Sequence, residues 1–170
     1  WATPESSVAP MEGRAPSRGN TVSIVHLHEK PDHLSLVASW IHTAFWTRSP
    51  HDVNYVADLI RKATTSDSIP LSLLALVGNE PAGTVQLVRT DSRERPDLTP
   101  WLAALYVTPE HRHQGIGGAL VRELASEARR LGCGEVFLET DIPDFYAREG
   151  GATRFQSLAE GGWIMRIGLS

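Results

Sequence analysis

The stretch Leu105-Tyr106-Val107-Thr108-Pro109-Glu110-His111-Arg112-His113-Gln114-Gly115-Ile116-Gly117-Gly118-Ala119-Leu120 limits the possible folds more than any other part of the chain. It reads as an apolar strand, a proline-bearing turn, a glycine-rich loop and the first turn of a helix. The strand covers Leu102 to Val107, and Thr108-Pro109 stops it because proline has no N–H to give to a ladder. Beyond the loop, Leu120, Val121, Leu124, Ala128 and Leu131 return at helical spacing, and Gly132 is placed to end that helix. A helix that opens among glycines presents unpaired N–H groups and the positive end of its dipole, which together favour an anion such as phosphate. Gly115, Gly117 and Gly118 lack a Cβ, so a phosphate can approach the main chain closely.

The loop departs from two well-known phosphate binders. A P-loop needs lysine and then serine or threonine after its last glycine, and no such pair follows Gly118. A dinucleotide fingerprint beginning at Gly115 needs glycine or alanine at position 120, where Leu120 stands. Arg112-x-x-Gly115-x-Gly117, directly after a strand ending Val107-Thr108-Pro109-Glu110, resembles instead the coenzyme A pyrophosphate loop of the GNAT superfamily of N-acetyltransferases. Phe145-Tyr146-Ala147-Arg148-Glu149-Gly150-Gly151 downstream extends the resemblance. An ordinary strand–turn–helix junction is the alternative that the loop by itself allows.

Composition narrows the field without choosing a chemistry. A chain of 170 residues is long enough for one well-packed domain, and 41% hydrophobic with 21% charged residues is ordinary for a globular protein. No apolar run reaches the length of a membrane span, and no basic start leads into an apolar leader. A single cysteine excludes an internal disulfide and suits a reducing, cytoplasmic setting. A net charge of −4 argues against nucleic acid as a partner and mildly favours a cationic amine.

Residues 1–20 carry Pro4, Pro10 and Pro16 with no apolar periodicity, and read as a flexible N-terminal tail before a domain over 21–170. Thr21 to Leu27 reads as the first strand. Pro31 and Asp32 open a helix with Leu34, Val37, Ala38, Ile41, Ala44 and Phe45 on one face. A second helix runs from about Val53 to Ala63. Leu71 to Val77 and Ala82 to Arg89 read as an antiparallel pair around Gly78-Asn79-Glu80-Pro81. After the central helix come a strand over Glu135 to Thr140, a short helix over Pro143 to Glu149 capped by Gly150-Gly151, and two strands near 152–157 and 163–167. The order matches the GNAT layout across residues 21–168. That layout is an α/β (α+β) fold, with a mixed, mostly antiparallel sheet of six to seven strands, helices on both faces and a splay between the fourth and fifth strands.

The resemblance implies acetyl-CoA as co-substrate and direct attack by a primary amine in a ternary complex. It places pantetheine against the backbone of Leu105, Tyr106 and Val107, with the Leu105 N–H polarising the thioester carbonyl. It places the pyrophosphate on the amides of His113, Gln114, Gly115, Ile116, Gly117 and Gly118, with Arg112 at the edge. His113 stands where many relatives carry glycine. Tyr146 aligns with the tyrosine that such enzymes use to protonate the leaving thiolate, and a packing aromatic is its alternative role. Glu139 corresponds to a fifth-strand glutamate that serves as base in some relatives, and a solvated surface glutamate is its alternative. Trp101 stands where others carry a base, and Asp141, Asp91 and His42 are further candidates through a water chain. The loop from Thr140 to Phe145 is shorter than in many relatives and lacks their pantetheine-contacting asparagine.

Trp40, Trp46, His42 and the loop from Asp91 to Trp101 fall where the family lines its acceptor side, a setting suited to an amine by cation–π and charge contacts. The seven histidines show no metal-ligand frame, and no metal is expected. A homodimer paired through the last strands is common among such enzymes. An acyl-CoA-binding sensor of the same fold without turnover is the competing function, against which Tyr146 and Glu139 argue. A nicotinamide oxidoreductase fails at Leu120.

Overall fold

The computed structural model describes residue 1 and residues 21–170; of the expected tail over 1–20, residues 2–20 lie outside the described residues, and Trp1 packs against one helix-covered face of the sheet. Seven strands form one sheet: β1 (Val22–His26), β2 (Leu71–Val77), β3 (Glu80–Val88), β4 (Trp101–Val107), β5 (Glu135–Thr140), β6 (Thr153–Ser157) and β7 (Trp163–Gly168). They lie in the order β1-β2-β3-β4-β5-β7-β6. Every neighbouring pair is antiparallel except β4 with β5, which run parallel. The four helices are α1 (Leu34–Phe45), α2 (Val53–Arg61), α3 (Ile116–Arg130) and α4 (Pro143–Gly150). This is the expected mixed sheet with helices on both faces, and its element order is the one read from the chain.

Strand alternation decides which face each helix covers. Leu71, Leu73, Val85, Leu87, Leu102, Leu105, Val107, Val136 and Leu138 meet Leu120, Val121 and Leu124 of α3 and Phe145 and Tyr146 of α4 in one core. On the opposite face, Leu74, Leu76 and Ala104 pack under Val37, Ile41 and Phe45 of α1 and Val56 and Ile60 of α2. A third, smaller cluster on that second face joins Val88, Trp101, Ala103, Phe137 and Ile164.

Local signals set the ends of the elements. Asp52 Oδ1 accepts from Tyr55 N at 3.0 Å and caps α2, a bond that stabilises a helix by about 1 kcal/mol. Gly132, at φ +86°, closes α3: its N–H bonds to Arg129 O and that of Cys133 to Ala128 O, so the last carbonyls are satisfied. The first strand stops at His26 rather than Leu27, because Leu27–Glu29 turns into a single 3₁₀ turn. A second such turn, Pro31–His33, delays α1 to Leu34, as proline suits a first turn but cannot be bonded within one.

Gly83 of β3 faces the backbone of β4 closely. A Cβ there would lie 2.8 Å from Tyr106 O and 3.2 Å from Leu120 Cδ1. A backbone oxygen in a ladder cannot swing aside, so Gly83→Ala is expected to cost about 1–3 kcal/mol. Chemical denaturation checks this, and an unchanged midpoint would refute the close approach.

Candidate active site

The fourth and fifth strands touch at one end only. Trp101 pairs with Phe137, Phe137 N donates to Pro100 O at 2.9 Å, and no further β4–β5 pair forms among the described residues. Both strands run the same way, so the gap opens toward their carboxyl ends. There β4 leads into the glycine loop and β5 into α4. A crevice outside the carboxyl ends of parallel strands is where ligands of open sheets bind.

A bulge shapes the β4 side of this wedge. Thr84 pairs with Tyr106 but Gln86 with Ala103, so Ala104 and Leu105 together oppose Val85. Ala104 takes φ +51°, the left-handed conformation that non-glycine residues rarely adopt. The extra residue puts Ala103 and Ala104 on the α1/α2 face together, then returns Leu105 and Val107 to the α3/α4 core and Tyr106 to the α1/α2 side.

The loop after β4 is pinned at its base. Thr108 N bonds to Ala82 O at 2.9 Å, the Thr108 hydroxyl and His111 Nδ1 lie 2.8 Å apart, and Arg112 Nε donates to Val107 O at 2.9 Å. The Arg112 guanidinium lies 5.7 Å from the Tyr106 ring centroid, a cation–π contact. His113 (φ +62°) and Gly115 (φ +82°) both take left-handed backbone, which glycine adopts freely and histidine rarely. No side chain caps α3. From Gln114 to Gly118, no amide among the described residues donates to a backbone oxygen outside the helix. First-turn amides have no partner within a helix either, and they face outward from its start. Gly118 is closely covered: a Cβ on it would collide with the Glu149 carboxylate, which pairs with Arg122 at 2.7 Å.

Tyr146 is fully buried, edge-on to Phe145 with ring centroids 5.0 Å apart. Its hydroxyl has no hydrogen-bond partner among the described residues. Burial, and then the negative charge of Asp141, push this phenol well above its ordinary value, so it holds its proton at neutral pH. A buried hydroxyl without a partner is costly, and a protein that retains one commonly uses it on a ligand. Tyr146 lies on α4, which begins three residues after the carboxyl end of β5, and packs in the core with Leu105 and Leu138.

Glu139, the next-to-last residue of β5, is half-buried. It alternates with Leu138 and Thr140 and lies on the face of Phe137, opposite α4, so the sheet separates it from Tyr146. Burial raises its carboxyl above the ordinary range, a hydrogen bond from Ser92 works the other way, and the charge of Glu94 raises it further. The β3–β4 loop thus reaches Glu139 of β5, and Arg95 to Gln156 at 2.7 Å and Ala159 N to Glu94 at 3.1 Å tie it to β6 and the turn that follows. Sequence reasoning did not pair Ser92 with Glu139, and nothing local in the chain signals it.

The remaining candidates scatter. Trp40 stacks at a tilt on Tyr106, 5.6 Å between centroids, whereas Trp46 is buried against His51 and Tyr55. The His42 ring bonds to His51 O at 3.0 Å. Asp91 is buried, and Asp141 is exposed at the end of β5. Among the described residues no three histidine, cysteine or acidic side chains gather to hold a metal, and no helix is long and apolar enough to cross a membrane.

A sheet parted between two parallel strands, with an uncapped glycine-rich helix start at the parting, is the arrangement that the sequence resemblance implied. The family model for acetyltransferases (GNAT) matches residues 24–149, and the chain belongs to that family. Among solved structures, an aminoglycoside 6′-N-acetyltransferase complexed with coenzyme A is similar at TM-score 0.67 and 16% identity, covering 87% of this chain and 97% of that one. A spermidine N-acetyltransferase chimera from Vibrio cholerae and hSSAT gives 0.66 and 15%, covering 87% and 95%. The PaiA N-acetyltransferase of Thermoplasma acidophilum in complex with coenzyme A gives 0.57 and 21%, covering 87% and 99%. At such identities these likenesses describe the fold. No curated protein sequence matches the chain.

Proposed function

We propose that this protein is an acetyl-CoA-dependent N-acetyltransferase that moves an acetyl group to a primary amine by direct attack in a ternary complex. The observation that carries the reading is the buried, unpartnered hydroxyl of Tyr146, which lies in one core with Leu105 of β4 and Leu138 of β5, the strands that part. The residues also fit the coenzyme at two other points. Beyond Trp101 the β5-facing backbone of β4 has no β5 partner, so Leu105, Tyr106 and Val107 are free to bond pantetheine as a neighbouring strand would. The amides of His113 through Gly118, with Arg112 at their edge, suit a pyrophosphate.

Acetyl-CoA supplies an activated acyl carbon and a thiolate leaving group. Glu139 accepts the proton that the acceptor ammonium must lose before its nitrogen can attack. The Leu105 N–H stabilises the oxygen on which charge develops. As the carbon–sulfur bond breaks, Tyr146 gives its phenolic proton to the departing sulfur, and the second proton that the attacking nitrogen sheds passes through water to restore the phenol. The opposite facing of the two side chains suits this order, with coenzyme on the α3/α4 side and amine on the α1/α2 side.

A panel of primary amines assayed for thiol release from acetyl-CoA tests the proposal. Steady thiol production with at least one amine is expected; coenzyme binding with no thiol from any of them would replace the enzyme with an acyl-CoA sensor. The base adds a pH test. Only the carboxylate accepts a proton, and a raised carboxyl becomes one at higher pH, so the acid limb of kcat/KM should lie above the ordinary carboxylate range. Glu94→Gln should move that limb to lower pH, and Glu139→Gln should lower kcat/KM by about 10²-fold. A limb unmoved in both variants would remove Glu139 from the mechanism.

A further inference from the structure

The α1/α2 face of the sheet carries two apolar clusters with a polar seam between them. Leu74, Leu76 and Ala104 belong to the cluster under α1 and α2, and Val88, Trp101, Ala103, Phe137 and Ile164 form the smaller one. In the seam, Ser72 of β2 pairs with Gln86 of β3, and Gln86 pairs with Ala103 of β4. The two clusters come together at the bulge, where Ala103 and Ala104 are consecutive. Of the partly buried apolar residues described, only Trp1 packs against both clusters. Its indole therefore spans the seam, at the line where the two clusters meet.

Glu139 belongs to the same ground. It lies two residues past Phe137, about 7 Å along the same face of β5. In the parallel register that Trp101 and Phe137 set, Ala103 stands across the wedge from Glu139. An amine that reaches Glu139 from the α1/α2 side must therefore come in over the bulge, beside or beneath the indole. The hold on that ring is apolar packing. Trp1 makes no hydrogen bond to another described residue, and Ser72 Oγ in the seam has no partner among them. A cover that leaves a buried hydroxyl unsatisfied, and that no polar bond secures, is one that a better partner displaces. The ring is also only partly buried, unlike the leucines of the core.

We infer that Trp1 is an autoinhibitory plug: its indole occupies the approach to Glu139 in the free protein, and the acceptor amine must displace it. This rests on the reading of the wedge as an acetyltransferase site with its amine on the α1/α2 side. A plug that is in place most of the time raises the apparent dissociation constant of the amine by the inverse of the fraction of molecules in which it is out. The coenzyme, on the α3/α4 side, does not meet the ring, so its affinity is unaffected. An indole serving as a wall of the amine site predicts the opposite, since its loss would weaken the amine. An indole that only fills core predicts no gain.

Trp1→Ala and Trp1→Phe in the full chain separate these cases, assayed for thiol release with the primary-amine panel and for acetyl-CoA binding by calorimetry. Trp1→Ala should raise kcat/KM for the amine about tenfold, chiefly through a lower KM, and keep the Kd for acetyl-CoA within about twofold of the unsubstituted chain. Trp1→Phe, aromatic but smaller, should gain about threefold, and it carries the kinetic test if the alanine variant does not fold. Fluorine NMR of the chain labelled with 5-fluorotryptophan adds a readout apart from rate. The Trp1 signal, identified by its absence from Trp1→Phe, should move toward the solvent-exposed position as a saturating amine substrate is added. Activity in Trp1→Ala with amines on which the unsubstituted chain is silent would support the plug most strongly. A kcat/KM that falls or holds in both variants, or a Trp1 signal that the amine leaves in place, overturns the inference while leaving the acetyltransferase reading intact. Silence of all three chains with every amine also overturns it, and coenzyme binding without thiol then decides the parent reading in favour of the sensor.

Discussion

Tyr146→Phe is expected to lower turnover by about 10²- to 10³-fold while changing the Michaelis constant for acetyl-CoA less than about threefold. The phenol's work, if it is the acid, falls in the step where sulfur leaves, so its loss belongs to kcat. The same substitution separates catalysis from folding in an unusual way. Because the hydroxyl is buried without a partner, phenylalanine removes an unsatisfied polar atom and keeps the ring packed on Phe145. The melting temperature should therefore hold or rise, unlike most buried substitutions. Steady-state kinetics and a thermal melt on one preparation check both halves. Wild-type turnover would remove Tyr146 from the mechanism. A marked drop in stability would show that the hydroxyl has a structural partner.

Gly117→Leu is expected to act on the other half of the site. Gly117 lies in the first turn of α3, where the amides lack intrahelical partners and no side chain caps the helix. A hydrogen bond from such an amide to a phosphate oxygen contributes about 1.5–3 kcal/mol, and a leucine side chain set among those amides would keep the diphosphate from at least one of them. The Michaelis constant for acetyl-CoA should rise by about 10- to 100-fold, with calorimetric binding weakened to match. Leucine is a good helix former, so the helix itself gains propensity. Circular dichroism confirms that the effect is on binding. An unchanged Michaelis constant would refute the placement of the pyrophosphate.

Much of the frame was legible because the chain marks it with strong local signals. Leu71 to Val77 is a continuous apolar run between turn residues, and it forms a strand buried along its whole length. Glu135 to Thr140 also keeps its expected limits. Helix α3 begins at Ile116, inside the glycine run, directly after Gly115 in left-handed backbone. The chemistry of the amine side was far less legible. Ala103 and Ala104 carry no turn signal, so the bulge follows from how β4 fits β3 and not from its own residues. Ser72 and Gln86 sit singly within apolar strands, where period alone gives no reason to connect them. Ser92 and Glu139 are joined only by the folding of the β3–β4 loop across the sheet. Each of these is a tertiary relation between residues far apart in the chain.

The left-handed kink at Ala104 works like a one-letter insertion in a message read two letters at a time. Without it, the outer half of that strand would fall out of phase, and the leucine and valine now buried on the α3/α4 side would swap places with the phenol ring of Tyr106. Straightening the kink with every residue kept would thus exchange the two walls of the cleft, whereas deleting Ala104 together with the kink would leave them as they are.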